Sequence, residues 1–415
     1  MRRGLACVGA AVVATAFSAS GVMAAEAPTF NKDVAPIIYE KCASCHRPGE
    51  VAPMSLLSYQ EARPWVRSIK AKVSNREMPP WFADDRFGTY ADKKALTKEQ
   101  IDTIVKWVDA GAPQGTGQPP AQPKFVEGWS NFMNRPPDAI VEMPMKFEIP
   151  AEGELPNFTI WGPNPFKEDK FMEAVQLRPE VIAATHHSDV VGRPLPEGTK
   201  LGRGPAWPGG PALDFAPMYP DGTSYSVLVG GGDLSEREHS ADLDKRREEA
   251  RAAAFRTQGD NMLLFYVPGG GYQKFPAGAV KRISAKNALT WALHYTPTGK
   301  AEKDQHRLGL WFATTPATHE VLTQRVGETH IAEGTEFGTR AFAGGGGYET
   351  VPNIPPMVAD WKITAITAFK DDVTIYGMWP HMHVRGKDMT FVATYPDGRE
   401  QVLLHVPKYD FNWQL

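Results

Sequence analysis

The chain has 415 residues, of which 42% are hydrophobic and 22% charged, and its net charge is −3 at pH 7. This length exceeds what one ordinary core supports, so two or three domains are expected. The charge balance argues against binding to nucleic acid or to an anionic membrane surface, because both need a basic excess. The 38 glycines and 36 prolines favour many turns and short strands over a helix bundle.

The start of the chain has the pattern of an export signal. Arg2 and Arg3 precede an apolar run, 5–17, and the small residues around Val22, Ala24 and Ala25 offer a cleavage site before Glu26. The apolar run is shorter than the roughly 20 residues that a membrane span needs, and no later stretch reaches that length. We therefore expect a periplasmic or secreted protein with no membrane span once residues 1–25 are removed. A retained membrane anchor is the less favoured alternative.

The next part of the chain, residues 26–112, has helical periodicity in three segments. The best-defined helix begins at Thr97, which can cap it together with Gln100. The following residues, 113–124, are rich in Gly and Pro and supply few side chains for a core, which is typical of a linker. A small all-α domain is therefore predicted at 26–112, followed by a linker.

Beyond the linker, short alternating runs broken by Gly and Pro predict all-β sandwich structure. The clearest runs are 289–295, 373–379 and 390–395. A glycine-rich run at 344–347 marks a boundary between two β domains, 125–343 and 344–415.

The residues Cys-Ala-Ser-Cys-His at 42–46 predict a covalently bound c-type haem. The thiols of Cys42 and Cys45 have the spacing at which they add to the haem vinyl groups, and His46 would ligate the iron. A redox CxxC would require a thioredoxin-like pattern, and a zinc site would require two more ligands nearby. Haem is favoured because the surroundings are helical and the other cysteine, Cys7, lies in the export signal.

A methionine is expected on the other side of the haem iron. Met78 lies in Arg-Glu-Met-Pro-Pro-Trp, where two prolines stiffen the backbone after it. Met54 is the competitor, and core packing is an alternative role for either side chain. A thioether opposite a histidine raises the iron's potential, which suits an electron carrier. The unit resembles the small cytochrome c domains, and its Met-Pro-Pro-Trp segment looks like their distal loop in one multidomain subgroup.

Some of the 11 histidines fall in arrangements that chelate metals. These candidate ligands are His186, His187, His294, His381 and His383. On a regular strand, adjacent side chains face opposite sides, so His186 and His187 could share a metal only at a bend or a strand end. A lone strand histidine is more often a surface or core residue. Imidazole-rich sites without thiolate suit copper or zinc, and an exported redox protein favours copper.

Residues 125–415 resemble the copper type II, ascorbate-dependent monooxygenases, the family of peptidylglycine α-hydroxylating monooxygenase and dopamine β-monooxygenase. The matching segments are Thr-His-His at 185–187, Leu-His-Tyr at 293–295 and Pro-His-Met-His-Val-Arg-Gly-Lys at 380–387. The resemblance implies two jelly-roll sandwiches that carry one copper each.

The resemblance also assigns the histidines. His186, His187 and His294 would hold the copper that passes electrons, while His381 and His383 would begin the catalytic, oxygen-activating site. The family's methionine ligand lies well after the His-x-His pair, and none is assignable before Leu415. We therefore expect the second β domain and its copper site to be incomplete in these residues.

Two functions remain open at this point. The first is a haem- and copper-containing monooxygenase that hydroxylates a C–H bond with dioxygen, with electrons delivered through the fused cytochrome. The alternative is a non-catalytic periplasmic electron-transfer cytochrome whose β module binds a partner or copper, which the missing methionine favours. Either needs a redox partner protein or a reductant. No motif selects the substrate, a small molecule or a peptide.

Overall fold

The structure is a computed structural model that describes most of the chain after residue 25. The described residues are 26–91, 93–125, 128–129, 133–155, 158–195, 197–204, 215–218, 220, 222, 262–323, 339–340, 351–352, 356–364, 367–382, 384–411 and 413. The predicted export signal and the predicted boundary at 343/344 lie outside them. Within them the chain is a mostly β protein of several units, as the coarser part of the predicted fold class states.

The helices lie in the first part of the chain. They are a π-helical turn (Phe30–Val34), α1 (Ala35–Lys41), α2 (Tyr59–Ala62), a 3-10 turn (Arg63–Trp65), α3 (Val66–Ser74) and α4 (Lys98–Asp109). Their apolar faces meet in a core of their own, in which Phe30, Ile38, Ile104 and Trp107 are almost completely buried. These helices therefore form a unit with an independent hydrophobic centre, here called the helical unit.

Helix α4 begins with the capping box that its sequence predicts. The backbone N–H of Gln100 donates to Thr97 Oγ1 at 3.2 Å, and the N–H of Thr97 donates to Gln100 Oε1 at 2.9 Å. Each bond satisfies a donor that the first turn of a helix would otherwise leave unpaired. The helix ends before Gly111, which has a positive φ of 87°. The chain then returns along the first helical turn, where Pro113 O accepts from the N–H of Phe30.

The strands follow the helical unit, with one 3-10 turn (Ile182–Ala184) among them. They are β1 (Ala139–Glu142), β2 (Phe147–Ile149), β3 (Phe158–Gly162), β4 (Lys170–Arg178), β5 (Thr185–Arg193), β6 (Lys200–Gly202), β7 (Ala216–Met218), β8 (Met262–Tyr266), β9 (Tyr272–Lys274), β10 (Ala279–Ile283), β11 (Ala288–Tyr295), β12 (Glu302–Asp304), β13 (Arg307–Phe312), β14 (His319–Glu320), β15 (Thr339–Arg340), β16 (Val351–Pro352), β17 (Met389–Thr394) and β18 (Glu400–Val406).

Two sheets share the main core. The larger has the order β1-β13-β4-β10-β14, with β9 also paired to β4, and the smaller has the order β3-β11-β5-β8. Val175 and Leu310 of the larger sheet and Val190 and Trp291 of the smaller belong to one buried cluster. The face of β11 that its sequence predicts to be buried, formed by Leu289, Trp291, Leu293 and Tyr295, lies in this cluster. The smaller sheet is therefore fixed on one face by apolar packing, and β5 and β11 lie at its centre.

The last described part of the chain contains the hairpin β17–β18. Its turn is closed by the N–H of Gly398, which donates to Tyr395 O at 2.9 Å, so the predicted strand at 390–395 and its turn are present. The strand predicted at 373–379 is wrong, because that segment has no regular structure and pairs with no strand among the described residues. Its apolar side chains Val373 and Tyr376 are exposed.

No helix in the described ranges is long and apolar enough to cross a membrane.

Candidate metal centre

Strands β5 and β11 carry three histidines at the same end of their ladder. His294 lies opposite His187, but the next residue, Tyr295, lies opposite Thr185. His186 is therefore the extra residue of a β-bulge, an irregularity that re-aims neighbouring side chains. In a regular strand His186 and His187 would face opposite sides of the sheet. The bulge is the kind of bend that the sequence requires if both are to reach one metal ion.

The three imidazole rings form a compact triangle. Their centroids are 5.3 Å apart for His186 and His187, 4.9 Å for His186 and His294, and 5.0 Å for His187 and His294. One ligand nitrogen from each side chain lies within 4.8 Å of the other two, so the group could hold a metal ion. All three side chains are half-buried, and the group contains neither a thiolate nor a carboxylate. We call these residues the histidine cluster.

The chemistry of the cluster fits a metal ion. The Nδ1 atom of His186 is buried and has no hydrogen-bond partner among the described residues. A buried polar atom without a partner is costly, whereas a metal ion or a water molecule would satisfy it. Burial also lowers the pKa of His186, which favours the neutral imidazole that binds metals. Three imidazoles that leave a coordination position open are typical of functional copper and zinc sites.

Two aromatic rings border the histidine cluster. Phe265 of β8 stacks on His187, with ring centroids 5.7 Å apart and planes 26° apart. Phe411, from the last described segment, lies 5.2 Å from the ring of His186. The rings cover part of the cluster with apolar surface, which limits the access of water to it.

The structure also brings one residue of the predicted second site to this place. The ring of His381 lies 6.4 Å from that of His187 and 5.0 Å from that of Trp379. His381 is not part of the group whose ligand atoms lie within 4.8 Å of one another. His383 lies outside the described residues. Of the predicted oxygen-activating pair, the described residues therefore include His381 alone.

A buried polar network lies directly behind the cluster. The carboxylate of Asp304 accepts from Tyr295 OH at 2.6 Å, from His306 Nε2 at 2.7 Å and from the N–H of Val181 at 2.8 Å. His306 Nδ1 lies 3.2 Å from Ser188 Oγ. Burial opposes ionisation, but these donors hold the pKa of Asp304 below its ordinary value. Ser188 and Tyr295 follow cluster histidines in the chain, so the network anchors both strand ends.

The sequence motifs did not reveal this network. Asp304 and His306 lie two residues apart in the polar run Glu-Lys-Asp-Gln-His-Arg at 302–307, a spacing that places both side chains on one face of an extended segment. This spacing is the signal that the sequence offers, but it does not show which residues across the sheet form hydrogen bonds with the two side chains.

The predicted haem ligands lie at the end of α1. Cys42 follows the helix, and its carbonyl accepts from the N–H groups of Cys45 and His46 at 3.1 and 3.0 Å. His46 Nδ1 lies 3.3 Å from the backbone oxygen of Met54, to which it can donate. That bond fixes the ring and leaves Nε2 free as a ligand, the arrangement by which proteins orient metal-binding histidines. The turn therefore fits a haem held by two thioethers and one imidazole.

The two cysteines and the two candidate methionines differ in how they are packed. Burial, reinforced by Cys45, raises the pKa of Cys42 to about 12, so its thiol is neutral and a poor metal ligand on its own. Neither cysteine forms a disulfide, and both side chains are partly buried. Met78, the predicted axial ligand, is half-buried after α3, where its N–H donates to Lys72 O at 3.3 Å. Its competitor, Met54, packs against the core of the helical unit.

Comparison with known proteins gives no family. No protein-family model matches the chain, and no curated protein matches it. Among solved structures, a non-heme iron oxygenase, OrfP in complex with Fe, succinate and (3S)-hydroxy-L-Arg, aligns at 13% identity and a TM-score of 0.18, covering 67% of this chain and 91% of that chain. A likeness of that size carries no argument about this protein's fold or chemistry.

Proposed function

We propose that the chain is an exported oxidoreductase in which a c-type haem delivers electrons to a copper ion bound by the histidine cluster. The reaction class that we propose is monooxygenation, the hydroxylation of a C–H bond with dioxygen. The observation that carries the proposal is the convergence of His186, His187 and His294 across a β-bulge, with a buried ligand atom left unpaired.

The choice of copper rests on the donor set and on the haem motif. Three imidazoles without thiolate or carboxylate bind copper and zinc. Copper supplies one-electron chemistry, and a haem iron held by a histidine and a methionine suits an electron carrier. His46, which keeps Nε2 free while Nδ1 is engaged, supports a haem in the same chain. Haem and copper together therefore make a more consistent pair than haem and zinc.

The family that we propose is that of the copper type II, ascorbate-dependent monooxygenases. Three short segments in the expected order support it, and so do the two sheets that enclose one core between β1 and β14. In this proposal the helical unit is a cytochrome c domain that replaces ascorbate as reductant, and residues 125–415 form the copper module. His381 and His383 would belong to its oxygen-activating site, and Met78 would be the second axial ligand of the haem iron.

The residues of this chain have separable tasks in that function. The histidine cluster would bind one copper ion in a fixed geometry, because the β-bulge and the Asp304 network hold both strand ends. Phe265 and Phe411 would keep bulk water from one side of it. Cys42 and Cys45 would fix the haem covalently, so that delivery of electrons is effectively intramolecular.

Metal analysis of the full chain, matured in a host that exports and attaches haem, tests the proposal. We expect one covalent haem and bound copper per chain, and oxygen uptake when a reductant is supplied together with a substrate C–H compound. The His186→Ala variant should keep the haem and lose copper. His319→Ala is the matched control, because His319 is an exposed histidine on β14 and not part of the cluster.

The same two variants distinguish the alternative function from the proposed one. A non-catalytic electron-transfer cytochrome would exchange electrons with partners at an unchanged rate in the His186→Ala variant, and would take up no oxygen in either form. A chain that binds zinc but no copper when both are offered would contradict the proposed redox centre.

A further inference from the structure

The helical unit and the smaller sheet touch at the turn between β8 and β9. This turn, residues 267–271, contains Gly269 at a positive φ of 82°. A Cβ atom built on Gly269 would lie only 2.9 Å from Cys45 Sγ and 3.4 Å from Lys94 Nζ. Lys94 Nζ also donates to Gly269 O at 3.2 Å. The backbone of the turn therefore lies directly against one of the two sulfur atoms that would carry the haem.

The position of the turn is fixed from the sheets. The N–H of Leu177 donates to Gly271 O at 2.7 Å, and Tyr266 pairs with Ser188 of β5. The turn is closed by the N–H of Gly270, which donates to Val267 O at 2.9 Å. Both strands that flank the turn thus belong to ladders of the main core, so the surface presented to Cys45 is rigid.

Strand β8 leads from this turn to the histidine cluster. Phe265, four residues before Gly269, stacks on His187 at a centroid distance of 5.7 Å. Four residues of fully extended chain span at most about 14 Å, which bounds the distance between the two Cα atoms. Two through-space contacts, one between Cys45 Sγ and Gly269 and one between Phe265 and His187, are therefore joined by a short stretch of covalent backbone.

We propose that the edge of the haem lies against the β8–β9 turn. Electrons would then travel along β8 and through the ring of Phe265 to the histidine cluster. The inference rests on the proposed function, since it needs a haem on Cys45 and a redox metal on His187. The transfer moves one electron: a ferrous haem iron becomes ferric and a cupric ion becomes cuprous, while no bond forms or breaks. Glycine at 269 lets the two units approach closely enough for this contact.

The test measures electron transfer itself, without oxygen and without turnover. In the full chain loaded with haem and copper, a light pulse reduces the haem through an external photosensitiser. The rate at which the haem is reoxidised is then followed by its absorption, and the loss of the cupric signal by electron paramagnetic resonance. Haem and copper contents are measured first for every variant.

Each variant has a matched control. Gly269→Ala adds a Cβ against Cys45, whereas Gly299→Ala adds one at a similar φ of 88° with nothing within 4 Å. Phe265→Leu removes the ring on His187, whereas Phe312→Leu removes a ring that contacts Phe166 in another part of the fold. We expect reoxidation to slow severalfold in Gly269→Ala and in Phe265→Leu, and to stay at the wild-type rate in both controls.

The outcomes distinguish this inference from the proposed function. If the wild-type chain binds no haem or no copper, the proposed function fails and the route fails with it. If both are bound and transfer occurs, but the two variants match their controls, the route is overturned and the proposed function stands. If Gly269→Ala does not fold, the rate in Phe265→Leu decides whether the route is correct, because this substitution adds no backbone strain and leaves the turn intact.

Discussion

The Nδ1 atom of His294 lies 3.2 Å from the Nε2 atom of His187. Two nitrogens that each lie about 2.0 Å from a tetrahedral metal ion are about 3.3 Å apart. The pair is therefore at the separation that shared ligation requires. The bulge at His186 brings in the third imidazole, and its unpaired Nδ1 is the group that gains most from a metal ion.

This geometry predicts that each cluster histidine is needed for tight copper binding. Loss of an outer-shell partner alone weakens metal sites by about 10–100-fold, so the loss of a ligand should weaken binding by about 100-fold or more. We expect this for His187→Ala and His294→Ala, measured by titration calorimetry or competition with a chelator. His319→Ala should bind as the wild type does. Unchanged affinity in either cluster variant would show that the metal lies elsewhere.

The axial ligand of the proposed haem is a second prediction. Replacement of Met78 by Ala should lower the reduction potential, because a thioether opposite histidine raises it. Met54→Ala is the comparison variant, since Met54 packs against the core of the helical unit and its backbone oxygen is hydrogen-bonded to His46. Spectroelectrochemical titration of the two variants measures both potentials and so shows which methionine is the axial ligand. A lowered potential in Met54→Ala alone would make Met54 the ligand.

Features set by local chemistry were predictable from the sequence. The capping box of Thr97 and Gln100 depends on residues three apart, and β11 depends on alternation within one run. The lack of a strand at 373–379 could not be predicted in the same way, because alternation does not reveal whether a partner strand is present. Nor could the bulge at His186, since it is a register shift between β5 and β11 that neither strand encodes alone.

The helical unit offers a direct test of local stabilisation. Thr97→Ala removes one partner of the capping box and should destabilise the helical unit by about 1 kcal/mol. Thr103→Ala is the control, because Thr103 lies inside α4, where alanine is the better helix former. Thermal unfolding followed by circular dichroism at helix wavelengths measures both variants. Equal unfolding temperatures for the two would show that the cap contributes little.

The Asp304 network gives the last prediction. Asp304→Asn keeps the shape of the side chain but leaves His306 without its anionic partner in a site where both are fully buried. Leaving a buried polar group without its charged hydrogen-bond partner typically costs about 1–3 kcal/mol. We expect a loss of that order near neutral pH, measured by chemical denaturation. Asp397→Asn, in an exposed pair with Arg399, should have little effect.

The same variant should change how stability depends on pH. The folded-state pKa of Asp304 is depressed below its ordinary value of 3.8, so its carboxylate contributes stability that is fully present above that value. This contribution is lost as the pH falls through the lower folded-state pKa. The difference in unfolding free energy between wild type and Asp304→Asn should therefore be constant above about pH 5 and shrink at lower pH. A gap that stayed constant into strong acid would mean that Asp304 acts through packing and not through its charge.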